Sequence, residues 1–222
     1  SGLYKEALPL CLEKGENFRL GYIYGRLRDC QNMTKYYKLS NSGGALGNLG
    51  IIYYCMGDYQ QSIYYHQQQL TIASSISDRT EQANALRGLG ISYYALGDYN
   101  RAINCNQESL TISRETGDYH GEGATLGNLG ILYYSQAHYS QAIEYYQQKL
   151  NIVLKIRNKL GEAKTLSTLG IAYSSLGNYS QALEYHQQAL SISQAIDDQA
   201  SEAIALGNLG NVYHNLGNCH QA

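Results

Sequence analysis

Tryptophan is absent from this 222-residue chain and phenylalanine occurs once, so the aromatic content is almost entirely its 23 tyrosines. A tyrosine has an apolar body and a hydroxyl that prefers the neighbourhood of water. That balance argues against one thick core and for a fold with much surface per residue. Charge is scarce as well: 15% of residues are charged, and the formal net charge is −2. This gives no electrostatic footprint for nucleic acid. What charge there is lies unevenly. Residues 1–40 hold seven Lys/Arg against four Asp/Glu, and no Lys or Arg follows Lys164. No apolar run approaches the roughly 18–20 residues that span a bilayer, and no signal peptide is visible. The five cysteines (Cys11, Cys30, Cys55, Cys105, Cys219) are scattered, odd in number and without a CxxC pair. They suit neither a disulfide framework nor a zinc site, and point to a reducing, cytoplasmic setting.

What is present is a period. "LG" recurs at Leu49-Gly50, Leu89-Gly90, Leu129-Gly130, Leu169-Gly170 and Leu209-Gly210, 40 residues apart each time. The frame around each anchor returns as "ALGNLGIIYYCMGDY", "ALRGLGISYYALGDY", "TLGNLGILYYSQAHY", "TLSTLGIAYSSLGNY" and "ALGNLGNVYHNLGNC". Four copies continue into a second segment of the type "SQAIEYYQQKLNI". The first segment places Leu86, Leu89, Ile91, Tyr93, Tyr94 and Leu96 on a helical face rather than in strict alternation. Gly57-Asp58, Gly97-Asp98 and Gly177-Asn178 then supply a C-terminal glycine followed by an N-cap. The second segment is also helical, with Ala102, Ile103, Leu110 and Ile112 apolar. The turn signals a strand protein needs every 8–12 residues are missing. The expected fold is all-α, an α-solenoid of stacked helix pairs, because one pair cannot bury its apolar face alone. The anchor glycine carries a helix penalty of about 0.8–1 kcal/mol. It is expected to let the second helix close on the first, with Ala102, Ala142 and Ala182 meeting it from the other side.

The frame L-x-x-L-G-x-x-Y, followed by a small residue, resembles the tetratricopeptide repeat. In the second full unit the matching residues are Leu86, Leu89, Gly90, Tyr93, Ala102 and Leu110. Leucine stands where that family has tryptophan, and its proline after the second helix is missing. The period is 40 residues rather than about 34, with the extra length expected at the "SISDRTEQA"-type junction. This longer form looks like the repeats of kinesin light chain and Pins-type spindle adaptors. The resemblance divides residues 43–222 into repeats at 43–82, 83–122, 123–162 and 163–202 and a first helix alone at 203–222. Residues 1–42 read as a degenerate capping repeat, with "LYKEAL" as part of a second helix and "LGYIYGRLRDC" as a first helix anchored by Leu20-Gly21. The chain starts without methionine and stops inside a repeat, as a piece of a longer protein does. Its last first-helix is expected to expose Leu206, Leu209 and Tyr213, a face open to self-association.

The resemblance implies a right-handed superhelix whose concave wall, made of first helices, binds an extended peptide or a partner helix. Carried over position by position, that wall contains Ile51, Ile91, Ile131, Ile171 and Asn211 just after "LG". It also contains Tyr54, Tyr94, Tyr134 and His214, together with Asn48, Asn128, Asn208 and Arg87. Each Ile and Tyr either faces a partner or fills the contact between repeats, and each Asn either holds a partner's backbone or bonds within the fold. The chaperone-binding subgroup grips a C-terminal carboxylate with Asn after "LG" and nearby Lys/Arg. Four of five repeats here have Ile instead, and Arg87 is the one cation among these positions, so that two-carboxylate clamp is not expected. Gly47, Gly127 and Gly207 are expected to leave room on the groove floor.

No catalytic constellation stands out from the period, and no cofactor or metal site is expected. "GEGATLG" at 121–127 resembles a phosphate loop only faintly, because no strand precedes it and it occupies the helix frame. His66 and His186 hold equivalent repeat positions and read as packing or surface residues. His214, Cys219 and His220 form a small cluster near the end. The expected function is a non-enzymatic protein-binding scaffold, with neither nucleic acid nor membrane as partner. The alternative is the regulatory arm of a larger enzyme whose catalytic domain lies outside these residues.

Overall fold

A computed structural model describes residues 16–26, 30–40 and 42–217. These residues form helices throughout, with no strand among them. The chain divides into two compact units, Ser1–Thr116 and Gly117–Ala222. The first contains α1 (Asn17–Arg26), α2 (Cys30–Ser40), α3 (Gly43–Cys55), α4 (Tyr59–Ser75), α5 (Arg79–Ala95) and α6 (Tyr99–Thr116). The second contains α7 (Tyr119–Ser135), α8 (Tyr139–Lys155), α9 (Lys159–Ser175), α10 (Tyr179–Ala195) and α11 (Gln199–Asn215). Within each unit, consecutive helices pack as hairpins and each hairpin packs on the next, so each is a stretch of all-α solenoid. The "LYKEAL" segment lies outside the described residues, as do Cys219 and His220.

The connections show why the period reads so cleanly. Gly57, Gly97 and Gly177 sit at φ +80°, +79° and +82°, the left-handed backbone that ends a helix. The residue after each starts the next helix. Asp58 accepts the N–H of Gln61 at 3.1 Å, Asp98 that of Arg101 at 3.0 Å and Asn178 that of Gln181 at 3.2 Å. Between hairpins Ser77, Arg157 and Asp197 hold the left-handed position, and inside the hairpins one connection departs from the glycine pattern. Ala137 takes the left-handed position at φ +59°, and His138 after it makes no side-chain cap.

Each hairpin closes on its anchor. A Cβ on Gly50 would lie 2.5 Å from the His66 ring, and one on Gly170 would lie 2.5 Å from the His186 ring. Gly90 is covered in the same way by Asn106, and Gly130 by Tyr146. The covering residue always stands 16 positions after the glycine. Gly21 obeys the same rule: its Cβ would lie 2.6 Å from the Tyr37 ring. Gly21 is thus covered in the same way as the other anchor glycines. Ala102, Ala142 and Ala182 are buried, but they are not the main occupants of the glycine gap. Ala102 offers only its carbonyl oxygen, 3.3 Å from the Gly90 Cβ position.

The tyrosines divide by place in the hairpin. Tyr53 stacks on Tyr65 with ring centroids 5.2 Å apart, and Tyr133–Tyr145 and Tyr173–Tyr185 repeat this at 5.3 Å. The Tyr173 hydroxyl ties two neighbouring hairpins together, accepting from the Gln147 amide at 3.1 Å. In the second full repeat Cys105 replaces the stacking tyrosine, and the Arg101 guanidinium covers Tyr93 at 4.4 Å instead. The far end differs from expectation. Leu206 is exposed, but Leu209 is buried and Tyr213 half-buried. Ala205 of the same helix packs with Leu166 of α9 and Ala189 of α10, which closes much of α11 onto the preceding hairpin.

Candidate functional site

The sequence-predicted wall separates into two classes. Ile51, Ile131, Ile171, Asn211 and His214 are exposed, whereas Asn48, Tyr54, Arg87, Ile91, Tyr94, Asn128, Tyr134 and Asn208 are half-buried. The tyrosines are occupied within the fold. The Tyr134 hydroxyl bonds the Ser175 hydroxyl at 2.8 Å, and its ring lies 5.3 Å from that of Tyr139. Tyr54 and Tyr94 pack likewise on Tyr59 and Tyr99. Burial also raises the pKa of the Tyr54 hydroxyl, with the neighbouring Tyr59, Cys55 and Tyr94 adding to the shift.

In the first unit four predicted residues meet in one cleft. Asn48, Ile51, Arg87 and Ile91 line a cavity of about 390 Å³ between α3 and α5, closed by Phe18 of α1 and by His66 and Gln69 of α4. Its floor is a polar chain that the sequence reading did not find. The Gln69 amide donates to Glu81 at 2.8 Å, which leaves its carbonyl oxygen to accept from His66 Nδ1 at 3.1 Å. Asn84 reaches the other Glu81 oxygen at 3.5 Å, and Arg87 donates to Asn84 at 2.8 Å. Burial lowers the His66 pKa, the Gln69 bond opposes the shift, and the Arg87 charge reinforces it. The ring is thus held neutral with its proton on Nδ1. The repeat frame marks these positions, 16 and 19 after each anchor glycine, but the residues there differ from copy to copy (His66, Asn106, Tyr146, His186; Gln69, Ser109, Lys149, Ala189), so the period did not announce the polar chain.

Gly47 and Gly127 do not open the groove floor as expected. Both are buried, and a Cβ on them would meet the Gln69 side chain at 2.7 Å and Lys149 Nζ at 3.1 Å, respectively. They make room for a side chain from the second helix of their own hairpin. Gly207 alone of the three has no atom within 4 Å. Gly121–Gly127 lies inside α7 and forms no loop. Among the described residues no group of His, Cys, Asp and Glu is placed to hold a metal ion, and no helix is long and apolar enough to cross a membrane.

A family model described as tetratricopeptide repeat matches residues 42–115, 92–155 and 157–222. No curated protein matches the chain. Among solved structures, BtubC (BKLC) from P. vanneervenii is 19% identical with a TM-score of 0.71, over 99% of this chain and 82% of that one. The apo form of RapI is 19% identical with a TM-score of 0.76, over 94% and 93%. A signal transduction ATPase with numerous domains that has a tetratricopeptide repeat sensor, from Pyrococcus horikoshii, is 21% identical with a TM-score of 0.80. There 99% of this chain matches 37% of that chain, little over a third of its length. At such identities these likenesses concern the fold alone.

Proposed function

The chain belongs to the tetratricopeptide repeat family, and from that premise we propose that it is a non-enzymatic scaffold binding an extended segment or helix of another protein along its first helices. The observation that carries this reading is the exposed isoleucine after the anchor. Ile51 is 56% exposed, Ile131 45% and Ile171 38%, each at the same repeat position. Ile131 and Ile171, 40 residues apart on α7 and α9 with Asn128 beside the first, suit the apolar side chains and backbone of a bound segment. The repeats are of the longer variety that resembles kinesin light chain, and the free thiols of Cys55 and Cys105 suit a reducing cytoplasm.

The test is selection of a displayed library of random dodecapeptides on the 222-residue chain. The wild type should retain peptides with a shared apolar pattern, and Ile131→Arg combined with Ile171→Arg should lose them at unchanged helicity. Retention by the double variant at wild-type strength would sink the groove. A second reading, the sensing arm of a larger protein, is favoured by the likeness to an ATPase whose repeat part is a sensor. Both readings use the same wall.

A further inference from the structure

In the first unit the side chains of residues 69, 81 and 84 form a closed set. The Glu81 carboxylate takes one hydrogen bond from Gln69 at 2.8 Å and one from Asn84 at 3.5 Å, on the floor of the cleft. The second unit has the same three positions 80 residues later, and their chemistry is inverted. They are Lys149 on α8, and Gly161 and Lys164 on α9. Two ammonium groups replace the two amides, and the carboxylate between them is replaced by a residue with no side chain.

The geometry of Lys149 agrees with the counterpart in the first unit. Its stem crosses Gly127, with Nζ 3.1 Å and Cε 3.5 Å from the Cβ position of that glycine, as the Gln69 amide crosses Gly47 at 2.7 Å. Lys149 is half-buried, and among the described residues no carboxylate pairs with it. Two acids stand close by and both are engaged elsewhere: Glu162 by Lys159 at 2.8 Å, and Asp198, which also feels the Lys164 charge, by the Ser201 N–H at 3.4 Å. Burial and the charge of Lys164 both push the Lys149 pKa down, so the fold holds this ammonium under strain that an anion would relieve.

We propose that Lys149 and Lys164 form a subsite for one acidic side chain, Asp or Glu, of a protein segment bound along α7 and α9, its carboxylate taking the place that Glu81 fills in the first unit. The inference rests on the groove reading and names a chemical preference within it. Both lysines stand inside their helices, at the eleventh position of α8 and the sixth of α9, where backbone N–H groups are already bonded. Two flexible point charges without backbone donors suit a single carboxylate. A phosphate site would call for more donors, such as a helix N-terminus provides.

The experiment extends the dodecapeptide selection to a Lys149→Gln/Lys164→Asn variant, which restores the side chains of the first unit. Wild type should enrich Asp or Glu at one position of the retained pattern. The variant should keep the apolar pattern and lose that enrichment, and a synthetic acidic peptide from the wild-type pool should bind it at least tenfold more weakly. Apolar peptides without an acidic preference, or a preference that survives in the variant, overturn the subsite and leave the groove standing. A wild type that retains no peptide, or whose peptides ignore the Ile131→Arg/Ile171→Arg change, overturns the groove and the subsite together. A Lys149→Met variant, close in length and shape to lysine, provides the same comparison if the double variant does not fold.

Discussion

A Cβ built on Gly50 would lie 2.5 Å from Nε2 of His66, so the glycine exists to seat an imidazole. The same relationship joins Gly130 to the Tyr146 ring, and that pair gives a sharp test. Alanine at 130 gains helix propensity of about 0.8–1 kcal/mol, but overpacking a buried ring costs about 1–3 kcal/mol. Gly130→Ala is expected to lower stability by chemical denaturation. Gly207→Ala, in the same kind of helix with no atom within 4 Å, is expected to raise it by somewhat under 1 kcal/mol. Equal signs for the two would contradict the packing argument.

His186 makes the second unit acid-sensitive. It is fully buried beneath Gly170, no partner is found for its Nδ1, and burial lowers its pKa to about 4. In the unfolded chain the ring titrates near 6.5. A folded pKa below the unfolded one means stability that is complete above pH ~6.5 and lost as the pH falls toward about 4, on the order of 3 kcal/mol in all. Asn106 fills the equivalent gap in the first unit and donates to the Ala102 carbonyl at 2.8 Å. His186→Asn should therefore fold and flatten much of the fall in Tm between pH 7 and pH 5. A variant as acid-sensitive as the parent would show that other groups dominate.

Ala137 holds a glycine's place. Its φ of +59° corresponds to +80°, +79° and +82° at Gly57, Gly97 and Gly177. Left-handed backbone costs a residue with a Cβ roughly 1–2 kcal/mol, less the entropy glycine loses on folding. Ala137→Gly is expected to raise stability by about 0.5–1 kcal/mol, read as a higher denaturant midpoint. Gly97→Ala is the mirror experiment and should lower it.

Two described cysteines should react differently. Cys55 is exposed, whereas burial, with a contribution from Glu108, pushes the Cys105 thiol up to about 11. The thiolate is the nucleophile, so iodoacetamide at pH 8 should alkylate Cys55 well before Cys105, with peptide mass spectrometry as the readout. Comparable rates would mean that the second repeat opens readily.

The exposure of the positions expected on the wall was legible in part, and the reason lies in the period itself. A 40-residue repeat marks which residues share a position, so Ile51, Ile91, Ile131 and Ile171 could be grouped; three of them are exposed, and Ile91 is half-buried. Position alone does not tell outward from inward. Tyr134 stands three residues after Ile131 but spends its hydroxyl on Ser175 of another helix. Gly47 and Gly127 were misread for the same reason. The residues that cover them, Gln69 and Lys149, come from a different helix, and one helix pattern contains no record of what lies opposite it.

The sequence by itself determined the helices, their ends and their stacking, because each depends on local chemistry repeated many times. A left-handed glycine, a capping aspartate or asparagine and an apolar face leave the same mark in most copies, the Ala137-His138 connection excepted. Only the tertiary structure decided what fills each gap: His66, Asn106, Tyr146 or His186 against the anchor, and Gln69 with Glu81 where the other unit has Lys149 and Gly161. These choices vary from copy to copy because the backbone provides the same space to each. The side chain that enters it is fixed by packing and charge across two helices.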